Sequence, residues 1–95
     1  QQLKRTGLEL NTDYQIKKEQ YQKWLNSWQY YKDQALPLAT QQAEGAVLAY
    51  KEGAIDYVTF LQNIRDAIRV EIDSWSAFGN YLESRYALEY YLDFY

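Results

Sequence analysis

The sequence contains no cysteine, no histidine and no methionine in 95 residues. Without Cys and His there are no disulfides, zinc sites of the usual kinds, thiol nucleophiles or imidazole bases. An intact gene product starts with Met, so the chain reads as a processed product or, preferably, a piece of a longer polypeptide. Four Gly and one Pro leave little turn material, which argues against a many-stranded β fold. No run of 18 apolar residues occurs, so no transmembrane helix is encoded. The net charge of −3 argues against nucleic acid as a partner. Charge is also uneven: residues 1–53 carry seven basic and six acidic side chains, and residues 54–95 carry three and seven. The two halves therefore attract one another weakly, an effect that salt screens.

What is abundant is tyrosine. Eleven Tyr, three Trp and three Phe exceed what the seam of a two-helix hairpin needs. Tyr joins an apolar ring to a polar tip and suits the boundary between packed and wet surface.

The spacing predicts two long helices. Residues 1–12 have weak periodicity and a Gly at position 7. From Asp13 a heptad-like seam runs through Tyr14, Tyr21, Leu25, Trp28, Ala35, Ala39, Gln42, Ala46 and Ala49, with large residues early and small ones late. Pro37 lies within it. A proline there cannot donate to the carbonyl of Asp33, and the helix must kink or break; the continuous phase of the seam favours a kink. A second helix begins near Asp56. One stripe reads Leu61, Ile64, Ile68, Ile72, Trp75, Gly79, Leu82 and Tyr86; another reads Phe60, Ala67, Phe78, Tyr81, Leu88 and Leu92. One partner helix cannot cover both, and the Phe60–Leu92 stripe is expected to be left over. Self-association of the isolated chain is expected from it.

Between the helices lies Tyr50-Lys51-Glu52-Gly53-Ala54-Ile55-Asp56-Tyr57. Gly just past a periodic segment is a helix stop, because it adopts the left-handed conformation at little cost. So short a connection folds the helices back as an antiparallel hairpin. The fold expected is all-α, a long hairpin with helix 1 over about 8–51, a turn over 52–55 and helix 2 over 56–94. With the turn at Gly53, Trp24 and Trp28 should lie opposite Gly79 to Glu83, where Gly79 leaves room for an indole.

Catalytic raw material is scarce. Glu71 with Asp73, or Asp66 with Glu71, lack the three- or four-residue spacing that puts both carboxylates on one helix face. Interleaved with Arg65 and Arg69, they read as solvated surface. The glycines at 7, 45, 53 and 79 form no phosphate loop. No catalytic, cofactor-binding or metal-binding residue is read, and the chain is not expected to be an enzyme. Ala54, Ile55 and Tyr57 are apolar or amphipathic at a tip where an isolated hairpin favours polar residues, so they are candidate docking residues. Tyr57 has a second reading, packing on Tyr50 to close the turn.

The order of these elements resembles the TolC family of outer-membrane efflux proteins. The likeness covers roughly residues 20–95. It rests on Leu36-Pro37-Leu38-Ala39, the Ala-rich run to Tyr50-Lys51-Glu52-Gly53, the stretch Tyr57-Val58-Thr59-Phe60-Leu61-Gln62, and a long returning helix with Tyr81 and Leu88-Glu89-Tyr90-Tyr91-Leu92. Tyr50, Gly53, Tyr57 and Leu61 fit the family's "Y-x-x-G" turn and "Y-x-x-x-L" stretch. The wording from Tyr57 to Gln62 and the late aromatics are most similar to a TolC-like extension at the C-terminus of heavy-metal efflux pumps of the resistance-nodulation-division type. The resemblance implies a periplasmic hairpin of a cell-envelope protein, packed beside neighbouring hairpins around a tunnel, with a periplasmic adaptor or inner-membrane pump at the turn. Heavy-metal cations would be its cargo in the pump-linked variant. It implies Tyr50, Gly53, Ala54, Ile55 and Tyr57 as turn and docking residues. The positions compared with the family's acidic aperture hold Thr59 and Gln62, so that constriction does not carry over. The alternative is a free-standing coiled-coil interaction module unrelated to transport.

Overall fold

A computed structural model describes the backbone of residues 2–94 and the side chains of residues 12–93. Helix α1 spans Gln2–Tyr30, a wider π-helical turn spans Tyr31–Ala35, helix α2 spans Leu36–Lys51 and helix α3 spans Tyr57–Phe94. There is no strand among the described residues. The helical backbone starts at Gln2 rather than near residue 8. The connection covers residues 52–56, and α3 runs back along α2 and α1. The molecule is a rod of 73 × 19 × 14 Å. Its radius of gyration is 20.9 Å, against about 12 Å for a compact domain of this length.

The chain does not break at Pro37. The adjustment lies one turn earlier, where the Leu36 N–H reaches back five residues to the Tyr31 carbonyl. Pro37 has no N–H and its ring crowds the preceding turn. Widening that turn by one residue is a common way for a helix to absorb such a defect. Pro37 then sits in the first turn of α2, where the missing donor matters least.

The seam between the arms is built from small residues. Ala39, Ala46, Ser74 and Ala77 are buried, together with Tyr91 near the open end. The Ser74 hydroxyl donates to the Glu71 carbonyl at 2.6 Å, so its burial leaves no polar atom unpaired. Ala43, rather than Gln42, turns toward α3; Gln42 is exposed. Toward the open end the seam becomes aromatic. Trp28 packs on Phe78 at 4.8 Å between ring centroids, Tyr21 on Tyr81 at 5.8 Å and Tyr14 on Tyr91 at 6.3 Å.

The structure turns the Phe60 stripe of α3 inward and splits the other, of which only Leu61, Ile64 and Leu82 are half-buried. Phe60, Ala67, Phe78, Tyr81 and Leu88 are half-buried on the inward side. The residues left outward are Ile68, Ile72, Trp75 and Tyr86, exposed by 49%, 59%, 66% and 63%; Leu92, at the end of the Phe60 stripe, is exposed as well. The physical reason is close approach. Small residues stand at the seam on both arms: Ala39 lies across from Ile64 and Ala67, and Ala77 lies beside Trp24, Ser27 and Tyr31, so the backbones approach where larger side chains would hold them apart. A count of large apolar residues does not register Ser and Ala as seam.

Gly79 makes no room for an indole. A Cβ at Gly79 would meet nothing within 4 Å, and the same holds at Gly45. Trp28 rests on Phe78 instead, and Trp24 borders hollows shared with Ala77, Asn80 and Glu83.

Candidate functional site at the hairpin tip

The tip is a sequence of hydrogen-bonded stops. The Glu52 N–H still bonds the Leu48 carbonyl at 3.0 Å. The chain then reverses at Gly53, whose φ of +76° is open to glycine and strained for other residues. The Gly53 N–H bonds the Tyr50 carbonyl at 3.1 Å and the Ala54 N–H bonds the Ala49 carbonyl at 2.8 Å. This pair of bonds is the Schellman arrangement, which satisfies carbonyls the helix end would otherwise leave open.

Asp56 starts α3. Its Oδ1 accepts the Thr59 N–H at 2.8 Å, and the Phe60 N–H bonds the Asp56 carbonyl at 3.0 Å. The Thr59 hydroxyl and N–H together hold the Asp56 carboxyl below the ordinary aspartate range. A carboxylate at a helix N-terminus also meets the positive end of the helix dipole. The sequence reading passed over this cap; its signal was Asp56, three residues past the Gly53 stop and followed three residues later by Thr59.

Three rings close the tip. Tyr50 stacks on Phe60 at 4.8 Å and lies 6.1 Å from Tyr57, which lies 6.5 Å from Phe60. The second reading of Tyr57, packing on Tyr50, is the arrangement found. Phe60 is the member that sequence reasoning missed, and its position one helical turn after Asp56 was the available signal.

The candidate residues divide accordingly. Tyr50, Gly53 and Tyr57 are brought together as the closure. Ala54 is exposed. Ile55 is half-buried and borders a hollow with Ala46 and Ala49, which corrects its reading as an exposed docking residue. It follows the reversal and falls back against α2. Thr59 is half-buried and spent on the cap, and its carbonyl accepts from the Asn63 side chain at 3.0 Å. Gln62 is exposed. The outward apolar surface of the tip is Leu48, Tyr57 and Val58, exposed by 57%, 57% and 61%.

Elsewhere the chemistry is sparse. Asp66, Glu71 and Asp73 are exposed. Among the described residues no group of three or more carboxylates is placed to hold a metal ion. One groove between α2 and α3, about 230 Å³, is lined by Leu36, Ala39, Ala43, Ile64, Ala67 and their neighbours. It is an open furrow beside the seam rather than an enclosed site. No described helix is long and apolar enough to cross a membrane. Comparison with family models, with curated proteins and with solved structures finds no match for this chain.

Proposed function

We propose that this chain is a structural hairpin that acts by packing and docking, as a tunnel or stalk element of an efflux assembly that spans the periplasm. The observation that carries the reading is the tip: a firmly closed reversal that still presents Leu48, Tyr57 and Val58 to solvent. Leu48 and Val58 take no part in the ring closure, and exposed apolar patches mark interaction sites. The efflux part rests on the resemblance of Tyr50, Gly53, Tyr57 and Leu61 to the TolC-family turn, and heavy-metal cations are the cargo that its pump-linked variant suggests. Neighbouring hairpins and an adaptor or inner-membrane pump are the partners in this reading. The second reading, a free-standing coiled-coil module, is favoured by the outward seam of α3.

Val58→Asp tests docking. Val58 makes no ring closure and is mostly exposed, so the isolated hairpin should keep its melting temperature. In the full-length polypeptide the carboxylate would be buried without a partner. Accumulation of a fluorescent efflux dye, or sensitivity to zinc and copper salts, should rise severalfold. Unchanged efflux by a normally expressed variant refutes the docking role. The flanking sequence identifies the parent: amphipathic β-strands nearby mean an outer-membrane protein, a dozen transmembrane helices upstream mean a pump, and neither favours the free-standing module.

A further inference from the structure

We infer that the outward seam of α3 is the contact face for a second copy of this chain, antiparallel, with the two-fold axis beside Ala77. This inference is independent of the efflux reading.

The seam runs from Leu61 to Glu89 at alternating intervals of four and three residues, through Arg65, Ile68, Ile72, Trp75, Gly79, Leu82 and Tyr86. That is an unbroken heptad pattern, exposed at every position except Leu61 and Leu82, which are half-buried. A chain of this mass that folds as a compact monomer exposes about 5,800 Å², whereas this hairpin exposes 7531 Å². The excess, about 1,700 Å², is more than the ~800 Å² each partner contributes to a standard-size interface.

The residues along the seam choose the partner and its direction. Arg65 lies near one end and Glu89 near the other. A parallel copy would set Arg65 against Arg65 and Glu89 against Glu89, and Gly79 against Gly79. An antiparallel copy centred beside Ala77 sets Arg65 against Glu89, Ile68 against Tyr86, Ile72 against Leu82 and Trp75 against Gly79. Gly79 is where a Cβ meets nothing in the hairpin itself; in the pair, it admits the indole of Trp75, which is 66% exposed. The flanks agree. In the same register Arg69 faces Glu83, and Glu71 faces Arg85. Both pairs are opposite in sign and each occurs twice by symmetry. Arg85 and Glu89, at 3.1 Å from each other and half exposed, would extend this ion-pair ladder across the interface. Shifting the register by one heptad toward the tip sets Arg65 against Leu82, burying a charge without a partner, and removes both flanking pairs. Charge and shape therefore select one register.

The test uses Arg69→Glu and Glu83→Arg, both at exposed positions, so helix content by circular dichroism should be unchanged. Sedimentation equilibrium of the unaltered chain should show a dimer at tens of micromolar. Each variant alone places like charges face to face twice and should weaken the dimer by about tenfold or more. Mixed together, the two variants form a pair in which both flanking contacts are again opposite in sign, and wild-type affinity should return. The proposal is overturned by an unaltered chain that stays monomeric at high micromolar concentration, by single variants that dimerise normally, or by a mixture that fails to recover. The last result would mean a different register or direction.

Discussion

Gly→Ala at three positions should give opposite results, and the structure supplies the signs. At Gly79 and Gly45 a Cβ would meet nothing within 4 Å, and both residues are inside helices. Alanine there adds no clash. It removes the backbone entropy that glycine loses on folding, which is about 1 kcal/mol in a helix interior. Each substitution should stabilise the hairpin by about that amount, and the double variant by about 2 kcal/mol, since well-separated sites add. For a chain of this size 1 kcal/mol corresponds to about 4–8 °C in Tm. At Gly53 the backbone has φ of +76°. An alanine held there costs about 1–2 kcal/mol, partly offset by about 0.4–1 kcal/mol of lost freedom in the unfolded chain. The net effect should be destabilisation of about 1 kcal/mol, with a Tm several degrees lower. Thermal melting followed at 222 nm, at low micromolar chain where the hairpin is monomeric, measures all three. A lower Tm for Gly79→Ala under those conditions would show that something within the hairpin approaches Gly79 closely, and would refute the packing described. A rise for Gly53→Ala would refute the left-handed stop.

Ala77→Leu adds apolar volume at the buried seam and should nonetheless destabilise by about 1–3 kcal/mol through overpacking; chemical denaturation checks the sign. Ile55→Asp should lower stability by about 1–3 kcal/mol, because Ile55 falls back against Ala46 and Ala49 and a carboxylate there loses hydration; an unchanged denaturation midpoint would contradict that placement. Acid should weaken the tip: the Asp56 carboxyl is held below its ordinary range by Thr59, so its contribution is full above the unfolded aspartate pKa and is lost as pH falls through the folded value. Asp56→Asn should remove that acid dependence in a series of melts. Alkali should act through Tyr21, whose phenol is raised first by burial and then by the Tyr81 hydroxyl, with Arg85 opposing. The neutral phenol is the favoured form, so this stability is present below about pH 10 and is lost as pH rises through the folded value. Absorbance at 295 nm, compared with Tyr21→Phe, follows that titration.

The sequence by itself determined that the chain is two helices and where they reverse. Scarce Gly and Pro, helical spacing on both sides and Gly53 at the end of a periodic segment permit no other local solution, since hydrogen bonds within a helix and the left-handed stop are decisions of a few adjacent residues. The tip closure by Tyr50 and Tyr57 was legible as one of two readings for the same reason: the residues are near neighbours in the chain. What the tertiary structure decided was which face of α3 turns inward. Two stripes were available, and the one their apolar content pointed to keeps only Leu61, Ile64 and Leu82 half-buried. The choice was made by how closely two backbones can approach over Ala39, Ala46, Ser74 and Ala77, a property of the pair and not of either helix. The same pairing drew Ile55 back against α2, left Gly79 without a neighbour and turned Ile72 and Trp75 outward. It also set where Pro37 is absorbed, because a helix held along its length against a partner widens one turn in place of bending away.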